Sequence, residues 1–287
     1  MITSRRDFVR GAAALLGGSA LLSPSDRLRQ FTTMPNDRVE RLGLQLYTVR
    51  DLMQQSVERT LAQVAAAGYK EVEFAGYFGR TPAQVVAALK ANGLTTPSVH
   101  ISIEQLRSPE FTKTLETAAQ VGHEWLILAW LPDADRASLD AFKGVADALL
   151  KAADMAKATK LKVGFHNHDH EFVKFGGTRG LDAMIERTAG SDVAFEVDLY
   201  WMTRAGGDPL AYFAKYPGRF PLVHVKDAGP APTYVMSDVG SGQINWSAIF
   251  AKHAQAGIQH YYVEHDQPAD PLRSIQASAA YLRTLTF

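Results

Sequence analysis

Eight short β-rich runs alternate with helix-patterned segments along this chain, and that alternation restricts the folds open to it. The runs are Leu42–Thr48, Glu71–Phe74, Ser98–Ile101, Trp125–Ala129, Lys162–Asn167, Ala194–Asp198, Leu222–Lys226 and Tyr261–Glu264. Between them, Asp51–Ala67, Thr81–Ala91, Pro109–Val121 and Ala137–Ala158 carry apolar residues at helical spacing. Gly68, Gly93, Gly122 and Gly257 stand just before the next run, where glycine closes a helix in the left-handed conformation. Repeated strand–helix units without a long insertion predict a single-domain (β/α)8 barrel over residues 40–287. No Gly-x-Gly-x-x-Gly follows the first run, so a dinucleotide-binding sheet loses its main support. Asp227–Trp246 is the longest connection and is predicted to be a surface loop over the barrel mouth.

Residues 1–32 are read as a signal segment and linker rather than as part of the fold. Ser4-Arg5-Arg6-Asp7-Phe8 precedes the apolar run Gly11–Leu22, which is too short to span a bilayer as a helix. A basic head before a short apolar stretch reads as an export signal, and paired arginines with Phe two places later predict the twin-arginine type. The expected partner is the twin-arginine export machinery, the expected location is periplasmic or otherwise exported, and cleavage would leave no stable membrane anchor. The absence of cysteine fits an oxidising compartment without a disulfide framework. Lys and Arg number 30 and Asp and Glu number 30, with no basic stripe, which argues against a nucleic-acid partner.

In such a barrel reactive side chains gather at the C-terminal strand ends. Strand five ends Phe165-His166-Asn167-His168-Asp169-His170 and strand six ends Phe195-Glu196-Val197-Asp198. Strand seven continues into His224-Val225-Lys226-Asp227, and strand eight into Val263-Glu264-His265-Asp266. Alternation sets His166 with His168, Glu196 with Asp198, and His224 with Lys226 on common faces. One polar residue at a strand end is usually a cap or surface group. Four neighbouring ends that each deliver a carboxylate or imidazole suit one divalent ion of the Mn, Co, Fe or Zn class.

These segments carry a family resemblance. Together with Leu44-Gln45-Leu46-Tyr47-Thr48-Val49-Arg50-Asp51, Gly68-Tyr69-Lys70-Glu71-Val72-Glu73-Phe74, Val197-Asp198-Leu199-Tyr200-Trp201 and Gly240-Ser241-Gly242-Gln243-Ile244-Asn245-Trp246, they resemble the sugar phosphate isomerase/epimerase superfamily of xylose isomerase-like barrels, in its twin-arginine-exported branch. The resemblance runs from about Arg41 to the C-terminus. It implies a metal set drawn from strands five to eight, in which Asp198, His224 and Glu264 match the last three positions. His166 stands where many relatives carry Glu, and His168 is the alternative ligand on that face. The exchange removes one negative charge and predicts a neutral, more strongly polarising set of ligands.

The implied chemistry is enolisation. Glu264 is the first candidate base and His168 the next, while Lys226 either steadies an oxyanion or pairs with Glu196. Glu73 and His100 either bind substrate hydroxyls or make ordinary rim hydrogen bonds, with Gln45 and Tyr47 behind them. Trp130 and Trp201 either stack on a sugar or pack in the core. His123, His253 and His260 are expected to face solvent. The expected activity is isomerisation or epimerisation of an unphosphorylated sugar or keto-sugar. The alternatives are a lyase or dehydratase at the same site (3-keto-glycoside elimination or inosose dehydration) and a non-catalytic sugar-binding barrel. The resemblance also implies that the protein can be a homo-oligomer, since barrels of the family are often dimers or tetramers.

Overall fold

The computed structural model describes residues 37–287; the arginine pair, the apolar run and the boundary at 32 lie outside the described residues. The eight predicted runs all form strands: β1 Leu42–Gln45, β2 Glu71–Phe74, β3 Thr95–Ile101, β4 Trp125–Leu128, β5 Lys162–His166, β6 Ala194–Asp198, β7 Leu222–Val225 and β8 His260–Val263. Each pairs in parallel with its neighbours in sequence, and β1 pairs with β8 to close the barrel. The helices Val57–Ala66, Pro82–Ala91, Phe111–Val121 and Leu139–Ala156 stand between strands in chain order, and Pro271–Thr284 follows β8.

Two cores result. The larger fills the space between the outer strand faces and the helices. A separate small one, Trp125, Ile127, Ala194, Leu222 and Tyr262, plugs the barrel from inside. Gly43 and Gly164 make this plug fit, because a Cβ on either would run into the Tyr262 ring or the Ile127 side chain. The plug gives the polar cluster above it a dry, low-dielectric floor, where charge–charge interactions are strong.

Local chemistry sets the boundaries. The predicted helix Asp51–Ala67 is broken at Ser56, whose backbone is extended (φ −165°) and whose hydroxyl accepts the Arg59 N–H to cap the second half. β1 stops at Gln45 rather than Thr48, since the Gln45 side chain accepts the Tyr47 N–H and starts a 3-10 turn there. Gly68, Gly93, Gly122 and Gly257 all take positive φ, as their placement predicted. Two histidines differ from expectation. His123 is buried, its Nδ1 donating to the Thr96 carbonyl at 2.8 Å while Nε2 accepts from the Tyr77 hydroxyl at 3.0 Å. His260 pairs with Glu71 at 2.8 Å at the N-terminal end of the barrel. Both rings sit beside strand starts that need a polar partner, which helical phase cannot reveal. His253 is half-buried and bonds the Phe250 carbonyl.

The long connection is more ordered than its composition suggests. Asp227–Ala228 pairs antiparallel with Met236–Ser237, and the buried Asp227 carboxylate accepts from Ala228 N, Gly240 N, Ile244 N and Trp246 Nε1. Tyr200 donates to the Tyr234 carbonyl at 2.8 Å, fastening the loop beside the barrel mouth.

Candidate metal centre and sugar cavity

Parallel register lifts different residues to different depths. Asp198 on β6 lies opposite His224 on β7, whereas His166 on β5 lies opposite Glu196 on β6. The polar interior is therefore two-tiered, and His224 joins the tiers. Its Nδ1 is 2.8 Å from Glu264 Oε2, and its Nε2 is 2.7 Å from Glu73 Oε2 and 3.1 Å from Glu196 Oε2.

In the deeper tier Glu196 Oε2 also faces His100 Nε2 at 2.8 Å and His166 Nδ1 at 3.2 Å. Glu73 accepts from Gln45 Nε2 at 2.7 Å and from the Ser98 hydroxyl. Its oxygens are thus consumed below the cavity floor and the residue is fully enclosed, so Glu73 and Gln45 hold His224 and do not meet a substrate hydroxyl. His100 does reach the cavity wall.

In the upper tier Lys226 Nζ lies 2.9 Å from Asp198 Oδ2, 2.7 Å from Glu264 Oε2 and 2.8 Å from Asp266 Oδ1. The pairing with Glu196, one of the two roles read for Lys226, is not made, because Glu196 sits one tier lower among three imidazoles. Asp198 Oδ1 accepts the Trp201 N–H, and Asn167 Oδ1 accepts the Asp198 N–H. These bonds aim Oδ2 at the cluster.

Titration follows from these contacts. Burial pushes the Asp198 carboxyl up to about 6, in spite of Lys226 and His224. Burial alone would also raise Glu264, but Lys226 and His224 outweigh it and hold that carboxyl well below the usual range. Burial would lower His100, yet Glu73 and Glu196 raise it to about 9. His166 is held well below its ordinary value by burial, then by His224 and His168. His168 falls to about 3 through burial and the neighbouring Lys226 and His170, so its ring is neutral and a weak proton acceptor.

The donors fit a divalent ion. Asp198, His224 and Glu264 offer atoms that all lie within 4.8 Å of one another, and His100, His166, Glu196 and His224 do the same one tier down. His166 Nε2 is 3.6 Å from Asp198 Oδ2. Asp198 Oδ2 is buried with no aligned hydrogen bond, although it lies within ion-pair distance of Lys226. A cation is the partner such an atom calls for. Lys226 already places one positive charge on Asp198 Oδ2 and Glu264 Oε2, so an ion would have to share or take these two oxygens.

Above the cluster opens a cavity of about 740 Å³ whose wall includes Tyr47, Trp130, His168, Trp201, Glu264 and Asp266. Trp130 is 47% exposed and Tyr47 43%, large exposure for aromatic rings that face one cavity. Trp201 and Trp130, read from the sequence as stacking candidates, are both here. The 227–246 loop stands beside the cavity and contributes no wall residue, contrary to the expected cover over the mouth. Glu196 and Asp266 are the site residues that sequence reasoning underused. Each lies two places from an inferred ligand, Asp198 or Glu264, and so shares its face.

A family profile, xylose isomerase-like TIM barrel, matches residues 61–285. The chain belongs to this family. Among solved members of the fold, this xylose isomerase-like barrel is similar to a sugar phosphate isomerase/epimerase from Parabacteroides distasonis (TM-score 0.72, 25% identity, covering 88% of this chain and 96% of that one). It is also similar to a 3-keto-D-glucoside 4-epimerase from E. coli (TM-score 0.66, 20% identity, 85% and 99% covered). The IolI protein, described with a bound zinc atom, matches with TM-score 0.69 at 14% identity over 86% of this chain and 99% of that one. No curated protein is detectably similar in sequence.

Proposed function

We propose that this xylose isomerase-like barrel is an exported, divalent-metal-dependent isomerase or epimerase that enolises an unphosphorylated sugar or keto-sugar. The observation that carries this reading is the convergence of Asp198, His224 and Glu264 at the floor of an aromatic-walled cavity. Among the described residues, Lys226 is the only Lys or Arg in that wall, and three carboxylates already engage it. A phosphate group would need free cations that the wall does not offer. The twin-arginine-like start supports export and the absence of phosphorylated substrates outside the cytoplasm.

In this reading His166, Asp198, His224 and Glu264 would hold one ion, which would supply charge stabilisation beside a substrate carbonyl. Trp130 and Trp201 position the ring. Glu264 takes the proton α to the carbonyl, for which its carboxylate must first be released from the Lys226 ammonium. Lys226 then donates to the oxygen that gains charge, with Asp266 as its remaining anchor. Return of the proton to the opposite face gives an epimer, and to the neighbouring carbon an isomer.

One observation favours a second reading. A pyranose occupies roughly 200 Å³ at close-packed density, well short of the 740 Å³ cavity, so a 3-keto-glycoside with its aglycone also fits and could lose that group by elimination.

The test is to load the protein with Mn, Co or Zn and incubate it with ketohexoses and 3-keto-glucosides in D₂O, following C–H exchange by NMR. Exchange with inversion supports epimerisation, and aglycone release supports the lyase. Ion-loaded protein that binds sugars without exchange or release would overturn both in favour of a binding barrel.

A further inference from the structure

The loop after β5 carries a second group of metal-type donors outside the set just described. His168, His170 and Glu171 each present an atom within 4.8 Å of the other two. A single 3-10 turn, His170–Phe172, folds the loop back so that the His168 and His170 rings stack 5.3 Å apart at 14°. Glu171 is buried, and its Oε2 accepts the His168 backbone N–H at 2.7 Å, which fixes the carboxylate against the rings.

Two nitrogens in this loop, His168 Nδ1 and His170 Nε2, are closed off from solvent and have no hydrogen-bond partner. Leaving a buried polar atom unpaired costs about 1–3 kcal/mol, and this one loop leaves two such atoms unpaired. The group does not satisfy itself, since His170 Nε2 is 3.9 Å from Glu171 Oε1, beyond hydrogen-bond reach. The other side of His170 is already arranged. Its Nδ1 lies 3.2 Å from Asp169 Oδ1, and Asp169 in turn lies 4.0 Å from Arg204. A carboxylate behind an imidazole keeps the proton on the near nitrogen and leaves the far one with a lone pair, the arrangement that backs metal-bound histidines.

We propose that His168, His170 and Glu171 form a second divalent-ion site, of the zinc, cobalt or nickel class, at the edge of the sugar cavity. Two imidazoles and one carboxylate suit these ions and leave a coordination position open. Calcium would ask for six or more oxygens. His168 lines the cavity wall, so the open position borders the substrate and would take a hydroxyl or carbonyl oxygen. This assignment makes His168 a ligand of its own centre, neither the fourth ligand of the first site nor a base. It stands independently of the enolisation reading.

Metal stoichiometry tests it. Protein stripped with chelator, loaded with Zn²⁺ or Co²⁺ and gel-filtered should hold two equivalents by elemental analysis. His170→Ala, at a partly exposed position, should fold normally by circular dichroism and hold one, as should the Asp198→Asn/Glu264→Gln double variant. Asp169→Asn should weaken the second ion's binding roughly tenfold while leaving the first unchanged. One equivalent in the wild type that disappears in the double variant would overturn the second site and leave the first intact. Two equivalents that persist in both His170→Ala and His168→Ala would also overturn it. No bound ion in any form would remove both sites.

Discussion

Replacing Lys226 with methionine should tighten divalent-ion binding at the Asp198–Glu264 centre while weakening the ion-free fold. The ammonium sits 2.9 Å from Asp198 Oδ2 and 2.7 Å from Glu264 Oε2, with Asp266 Oδ1 as a third partner at 2.8 Å. At an effective dielectric of about 20, each such contact is worth about 6 kcal/mol gross, most of which offsets the desolvation of a buried amine. Breaking a buried ion pair costs about 3–5 kcal/mol net. An arriving ion must loosen two of the three contacts, so it works against roughly 2–3 kcal/mol. Methionine fills a similar volume and removes that opposition, so the dissociation constant should fall roughly 30- to 150-fold.

The same variant takes the ammonium away from three buried or half-buried carboxylates, of which Glu264 keeps His224 at 2.8 Å. Its ion-free melting temperature should therefore drop, and saturating ion should restore it by mass action. Titration against a chelating dye gives the affinity, and melting with and without ion gives the coupling. A variant that folds normally yet binds the ion with unchanged or weaker affinity would show that Lys226 supports the ligands rather than competing for them. The displacement step in the proposed mechanism would then be wrong.

Three further outcomes follow from other parts of the molecule. Asp227→Ala removes a buried acceptor shared by four donors and should cost about 3 kcal/mol or more in urea unfolding; a loss below about 1 kcal/mol would mean that the loop holds without it. Burial lowers His123 from its ordinary 6.5 to about 4, so the stability gained by keeping this ring neutral is whole above pH 6.5 and is lost as pH falls toward 4. That loss amounts to about 3 kcal/mol, and His123→Asn should flatten the stability–pH curve in this window; an unchanged slope would assign the acid sensitivity elsewhere. Trp130→Ala should raise KM for the sugar roughly fivefold with little change in kcat, as expected when a stacking surface worth about 1 kcal/mol is lost; an equal fall in kcat would place Trp130 nearer the reacting atoms.

The strand count, the parallel order and the helix-closing glycines were legible because each rests on local pattern. So was the meeting of Asp198, His224 and Glu264, since a barrel brings its C-terminal strand ends to one rim whatever its length. Depth was not legible. Alternation says that Glu196 and Asp198 share a face, but strand tilt and register decide that Glu196 lies opposite His166 while Asp198 lies opposite His224. That offset gave Lys226 not Glu196, one of its two readings, but Asp198, Glu264 and Asp266 as partners. On β2, register likewise sets Glu73 beside Gln45 and Ser98, buried beneath the cavity where a substrate-binding role was one of its two readings. Asp227 was visible as a motif residue, but its four donors come from as far as Trp246, and no spacing rule reports such a loop staple.

The same offset changes what His166 means. Read along the chain, a histidine in place of the family's glutamate deletes a charge and leaves a neutral, strongly polarising set of ligands. In three dimensions Glu196 Oε2 stands 3.2 Å behind His166 Nδ1, and 3.1 Å and 2.8 Å from the Nε2 atoms of His224 and His100. In the proposed centre the carboxylate is therefore not missing but set one tier back, where it would act through imidazoles. A carboxylate behind a ligating imidazole raises its basicity and fixes its orientation. The negative charge then reaches an ion through a ring instead of an oxygen, and nitrogen donors shift preference from magnesium or manganese toward zinc, cobalt or nickel. Glu196→Gln should accordingly weaken the binding of zinc more than that of manganese, whereas a loss equal for both ions would reduce Glu196 to a bulk electrostatic role.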